Sequence, residues 1–241
     1  MAEGDVDDLK ERIATACRVL ARLDLTREPA GHVSARVPGT DNILIKARGE
    51  DESGVRFTKP EDVIMCDIEG KALDAVGQQI APREVFIHTW MYKTRPDVNC
   101  VIHIHPPTVV AFTVVGKPLL PIYGAYDPAS LALCLDGIPH YDRSVLISND
   151  QLGQDLAAAI GEKDVITMRG HGITSLGASV EAAGLNAILI NELAEMNYRA
   201  YMLGDPRPIP DEDIAEFKGR ATGRRAGGGV AWEVYRKMVD A

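Results

Sequence analysis

The sequence predicts an α/β fold in one domain. Segments with apolar residues at helical spacing alternate with short β-branched runs, and Gly, Pro, Asp and Asn turns separate those runs. The length of 241 residues, with 46% hydrophobic and 25% charged residues, suits a single globular body.

The opening "DVDDLKERIATACRVLARLDL" sets Leu9, Ile13, Cys17 and Leu20 on one helical face, with acids in the first turn where the helix dipole favours them. Next come the β-type runs "HVSARV", "NILIKA" and "VIMCDI", joined by "PGTDN" and "IEGK", which predict a sheet with hairpins. In "PREVFIHTWMYKTRPD" Pro82 suits a first helical turn and Pro96 ends the segment, so a helix is expected over 83–94. The strand "NCVIHIH" follows. An apolar helix is expected from Pro107 through "TVVAFTVV", against the preference of its β-branched residues. "SNDQLGQDLAAAIGEKDVITMRGHG" reads as a capped helix, a glycine stop and a strand entering a glycine turn. The longest helix is expected in "SVEAAGLNAILINELAEMNYRAYMLG", with a stripe through Val180, Ala183, Ala187, Ile190 and Ala194 and an end at Gly204. Beyond Asp205 the chain turns polar and rich in proline and glycine, closing on a short amphipathic helix. Residues 1–204 therefore read as the body and 205–241 as a C-terminal arm.

Bulk properties exclude several classes. A net charge of −9 without a basic tract argues against nucleic acid and anionic membrane as partners. Cys17, Cys66, Cys100 and Cys134 form no CxxC pair and read as small core residues. No basic, apolar leader and no apolar run of about 20 residues is present, so cytoplasmic residence is the default expectation. Nucleophile elbow, phosphate loop and dinucleotide glycine fingerprint are all missing.

The chemistry-bearing residues gather in three places. In an extended strand His103 and His105 project from the same face and can grip one metal ion, although a packed histidine beside a solvated one fits the spacing equally well. His171, between two glycines in "MRGHG", can supply a third imidazole and leave positions open for substrate; alone it would read as a turn residue. Glu84 starts the helix that leads into the His-x-His strand and can act as acid, base or ligand, or simply as a first-turn acid. Three imidazoles suit Zn²⁺, Mn²⁺, Fe²⁺ and Co²⁺ alike. His88, one turn after Glu84, and His140 read as structural or surface residues, as do Tyr123, Tyr126 and Asp127.

Taken in order, "GHVSAR", "PREVFIHTWMYKTRPDVNCVIHIHPP" and "MRGHGITSLGASVEAA" resemble the class II aldolase and adducin family, from the first helix to about Gly204. The resemblance implies an α/β/α three-layer fold on a mixed, mainly antiparallel sheet. It implies one divalent metal per subunit on His103, His105 and His171, with Glu84 as the acid/base. It also implies a homo-oligomer, a tetramer or a multiple of it, with active sites at subunit interfaces, to which a tail residue such as Tyr235 would contribute. Adducin-type members without the histidines are scaffolds; an intact triad points to an enzyme.

The departures from the family pattern concern the substrate. Where sugar-phosphate aldolases of the family carry Gly-Asn, Thr-Pro-x-Gly and Ser-Ser, this chain has Gly31-His32, "KARG" at 46–49 and Pro82-Arg83. Lys46, Arg48 and Arg83 replace small hydroxyls, and guanidinium forks match carboxylates; Arg56 in the insertion "GEDESGVRFT" is expected on the same rim, unless these cations only pair with nearby acids. This pattern is similar to the decarboxylase branch of the family, which includes enzymes acting on dihydroxyphthalate. The expectation is a metal-dependent decarboxylase of a hydroxylated aromatic or keto acid, with His32 or Glu84 as proton donor; retro-aldol cleavage of a hydroxy-keto acid or sugar derivative is second, then a dehydratase, then a non-catalytic interaction protein.

Overall fold

A computed structural model describes residues 3–50, 52, 54–220 and 229–239. The strands among them are β1 (His32–Arg36), β2 (Ile43–Lys46), β3 (Val63–Cys66), β4 (Cys100–Ile104), β5 (His140–Tyr141), β6 (Val165–Met168) and β7 (Gly172–Gly177). They form one sheet in the order β3-β2-β1-β4-β7-β6-β5. Every pairing is antiparallel except that of β5 with β6. The expected mixed, mainly antiparallel sheet is present.

The alternation of side chains along the strands divides the core in two. Cys100, Ile102 and Ile104 of β4 face one way, with Val33, Ala35, Leu44 and Ile173, against α1 (Glu3–Arg22), α3 (Pro107–Val115), α4 (Pro128–Cys134) and α6 (Val180–Leu203). Val101 faces the other way, with Ile43, Ile45, Ile166 and Leu176, against α2 (Val85–Thr94) and α5 (Asp150–Ile160). Helices thus cover both faces, giving three layers.

The helix starts follow from local chemistry. Ser179 accepts from the Ala182 amide at 3.2 Å and Asn149 from the Leu152 amide at 3.0 Å, so α6 and α5 begin at capped turns. All five residues of the stripe read along α6 are buried. All four cysteines are buried and free. No helix among the described residues is long and apolar enough to cross a membrane.

Three elements depart from the pattern read in the sequence. "GITSLG" is a full strand, β7, instead of the run-out of a glycine turn: it is buried throughout between β4 and β6, and partners on both sides outweigh its weak strand preference. The short helix α4 arises because Asp127 caps it, accepting from the amides of Ala129 and Ser130. In the arm, α7 (Asp211–Arg220) opens with Asp211, Glu212 and Asp213, a favourable first turn. The final α8 (Gly229–Arg236) sends Trp232, only 4% exposed, onto α6. Gly184 makes that approach possible, since a Cβ there would lie 2.5 Å from the indole ring. Residues 221–228 of the glycine-rich stretch lie outside the described residues.

Candidate metal centre

Register places the first histidines. In the β1–β4 ladder His32 pairs directly with His103, so both project from the α2 side of the sheet and their ring centroids stand 5.3 Å apart. His105 lies one residue beyond the end of β4 and returns to that side. His171 sits in the turn between β6 and β7, beside Gly170 at φ +55°. Gly172, next in the chain, passes so close to β4 that a Cβ there would collide with the Ile104 carbonyl oxygen. Only glycine allows His171 this approach to His105.

Glu84 is the N-cap residue of α2 and is 7% exposed. Its Oε1 accepts from the Ile147 amide at 2.9 Å, which turns the carboxylate toward the histidines. Nε2 of His103 is 3.0 Å from Nε2 of His105; Glu84 Oε1 is 3.4 Å from His171 Nε2, and Oε2 is 3.7 Å from His103 Nε2. One ligand atom from each of these four residues lies within 4.8 Å of the others.

The donor set fits a divalent metal. Ligand atoms about 2.0–2.1 Å from one zinc ion would stand roughly 3.3 Å apart, close to the spacings found. His171 Nε2 is buried and makes no hydrogen bond among the described residues, an orphan that an ion would satisfy. Burial, then the charges of neighbouring imidazoles, holds His103 well below the ordinary histidine range, and the same two causes lower His105 to about 4. Both are therefore neutral near neutral pH, the form that ligates metal. Burial raises the Glu84 carboxyl, but His171 and the Ile147 amide outweigh it and keep the carboxyl below its ordinary value. Nδ1 of His103 and of His171 also lack partners among the described residues, and a metal on Nε2 does not account for those two atoms.

A cavity opens beside this cluster, lined by Gly31, His32, Arg48, Glu52, Arg83, Glu84, His105 and Leu146. Arg83 and Arg48 both line it, and Arg83 has no ion-pair partner among the described residues. Lys46 departs from expectation. It is 2% exposed, its Nζ lies 2.6 Å from Glu52 Oε1, and it lines the adjoining cavity. A buried ammonium needs a counter-charge, and Glu52 supplies it from inside the chain. Arg48 also leans on Glu52, at 3.3 Å, but stays about half exposed. Arg56 turns to Asp24 at 3.0 Å and does not line the cavity. Tyr235 donates to Glu192 of its own chain at 3.2 Å.

His88, a default structural residue by sequence, is fully buried against the site. Its Nε2 meets Nδ1 of His32 at 2.8 Å, and its Nδ1 meets Ser34 Oγ at 2.6 Å. A signal existed: Glu84 and His88 are four residues apart and share a helix face. Glu52 had no such signal.

The model of the Class II Aldolase and Adducin N-terminal domain family matches residues 11–198. The chain belongs to that family. Among its relatives, a 3,4-dihydroxyphthalate decarboxylase of Arthrobacter keyseri is 39% identical over 212 residues, covering 86% of this chain and 85% of the relative. A protein of the same name from Rhodococcus jostii is 39% identical over 223 residues, covering 90% of each chain. In fold, an aldolase II superfamily protein from Pseudomonas syringae superposes with a TM-score of 0.86 at 23% identity, covering 99% of this chain and 94% of that one. Class II aldolases use a divalent metal, and Glu84, His103, His105 and His171 form a cluster able to bind one here.

Proposed function

We propose that this protein is a divalent-metal-dependent decarboxylase of a hydroxylated aromatic dicarboxylate, 3,4-dihydroxyphthalate or a close analogue. The observation that carries this reading is the intact cluster of three histidines and Glu84 in a chain 39% identical to 3,4-dihydroxyphthalate decarboxylases over most of its length. His103, His105 and His171 would hold the ion. When bound, it supplies positive charge that stabilises negative charge developing on the substrate as the carbon–carbon bond breaks.

The chain's own residues have distinct tasks. Arg83 and Arg48 on the cavity rim bind the carboxylate that is retained. Glu84, fixed by the Ile147 amide, takes the proton of a ring hydroxyl and delivers it to the ring carbon. That carbon gains a C–H bond, the C–CO₂ bond breaks with its electron pair passing to the ring, and CO₂ leaves. His32 lines the same cavity as the second proton-bearing group. Lys46 acts at one remove, holding Glu52 against Arg48. Self-association into a homo-oligomer would cover exposed apolar residues such as Val114, Val115, Met202 and Leu203, and light scattering measures it.

The test is product analysis after reconstitution with Zn²⁺, Mn²⁺, Fe²⁺ or Co²⁺. CO₂ and a dihydroxybenzoate from 3,4-dihydroxyphthalate are expected. Aldehyde release from a sugar phosphate without CO₂ release would replace this reading with retro-aldol cleavage, and no turnover of any candidate would point to an interaction protein.

A further inference from the structure

Behind His32 a row of buried polar groups runs away from the cavity. His32 Nδ1 meets His88 Nε2 at 2.8 Å, His88 Nδ1 meets Ser34 Oγ at 2.6 Å, and Ser34 Oγ meets the Tyr92 hydroxyl at 2.8 Å. His88 is 0%, Ser34 0%, Tyr92 3% and His32 6% exposed. The fold produces this row. His32 and Ser34 are two apart on β1 and point to one face, while His88 and Tyr92 are four apart on α2 and share the helix face packed on it.

Proton counting gives the row a direction. Beside the Tyr92 hydroxyl lie the Val101 backbone, which acts on it as a donor, and Ser34 Oγ at 2.8 Å, which can accept, so the buried phenol donates to Ser34. Ser34 then has its own proton to place, on His88 Nδ1 at 2.6 Å or on the Val101 carbonyl at 3.5 Å, the outer limit of a hydrogen bond. The short contact takes it. With Nδ1 accepting, neutral His88 carries its proton on Nε2 and donates to His32 Nδ1. With Nδ1 accepting in turn, neutral His32 carries its proton on Nε2, which has no partner among the described residues.

We propose that His88 is a positioning residue, backed by Ser34 and Tyr92, that holds His32 in the Nε2–H tautomer and so keeps an N–H donor directed at substrate in the metal-side cavity. The function assigned to that donor rests on the decarboxylase reading; the tautomer does not. Reversing the row would present a bare nitrogen to the substrate, which accepts a hydrogen bond and cannot give one.

The experiment uses the zinc-loaded full chain, labelled with ¹⁵N-histidine. Long-range proton–nitrogen spectra distinguish a protonated ring nitrogen from a bare one, and His32→Gln assigns the resonance. In the wild type His32 should show bare Nδ1 and protonated Nε2; the opposite pattern overturns the proposal. His88→Leu should move proton density to Nδ1, keep its zinc, and lower kcat for decarboxylation roughly tenfold or more with little change in KM. His88→Gln, which returns an N–H donor, should recover both the pattern and most of kcat. An unchanged tautomer and unchanged kcat in His88→Leu would contradict it. If His88→Leu fails to fold, Ser34→Ala and Tyr92→Phe break the row further out, and unchanged spectra in both would be equally fatal. If the wild type releases no CO₂ from 3,4-dihydroxyphthalate, the functional reading falls, and the spectra alone decide the tautomer.

Discussion

The two walls of the cavity are built on opposite principles. On one wall His32, His105 and Glu84 sit on a strand, a strand end and a helix cap, with His103 and His171 completing the cluster beside the cavity, and backbone geometry fixes each. On the other, Arg48, Glu52 and Arg83 sit on connecting segments, where a shared carboxylate links Arg48 to the buried Lys46. Rigid elements suit a metal, whose ligands must be held to a fraction of an ångström; loops suit a substrate group that arrives and leaves.

The sharpest way to break the contrast is at the metal wall. His105→Ala should remove bound metal and lower decarboxylation on the order of a thousandfold, since several kcal/mol of charge stabilisation go with the ion; metal analysis and kinetics read it. Arg83→Ala on the loop wall should instead raise KM about tenfold with metal content unchanged, the cost of one charge-assisted hydrogen bond. Equal losses of metal in both variants would erase the distinction.

Stability probes the metal wall differently. Gly172→Ala forces a side chain against the Ile104 carbonyl and should destabilise by about 1–3 kcal/mol in urea unfolding, with metal affinity falling alongside. Acid sharpens the same point. Burial pushes His88 down to about 3, so the unfolded chain, with histidine near 6.5, binds more protons between those values. The resulting stability is complete above about pH 6.5 and is lost as pH falls toward 3. His88→Leu should show a shallower decline of melting temperature over that window; an identical slope would show that His88 adds nothing to it. Arg56→Ala, off the cavity, should change KM by less than about twofold and stability by about 0.5 kcal/mol or less, as for an exposed ion pair.

Sequence legibility follows the same divide. His103, His105 and His171, the α6 stripe and the three hairpin strands carry their period in the residues themselves, and the structure brings them together as read. β7 is hidden because its glycines serve close packing, a tertiary demand that imitates a turn. The burial of Lys46 is hidden because a lysine at a strand end looks solvated until Glu52, from a loop, is seen to fold over it. His88 was half visible: its spacing from Glu84 puts it on the right face, but its partners Ser34 and Tyr92 look like any strand serine and helix tyrosine.

The central claim is that the histidine cluster is a metal site that catalysis needs. Metal content per chain, measured for the dialysed wild type and for His103→Ala alongside CO₂ release from 3,4-dihydroxyphthalate, tests it most directly. One divalent ion per chain with CO₂ release in the wild type, and neither in the variant, is the predicted result. Full metal content in His103→Ala, or undiminished CO₂ release without metal, would contradict it.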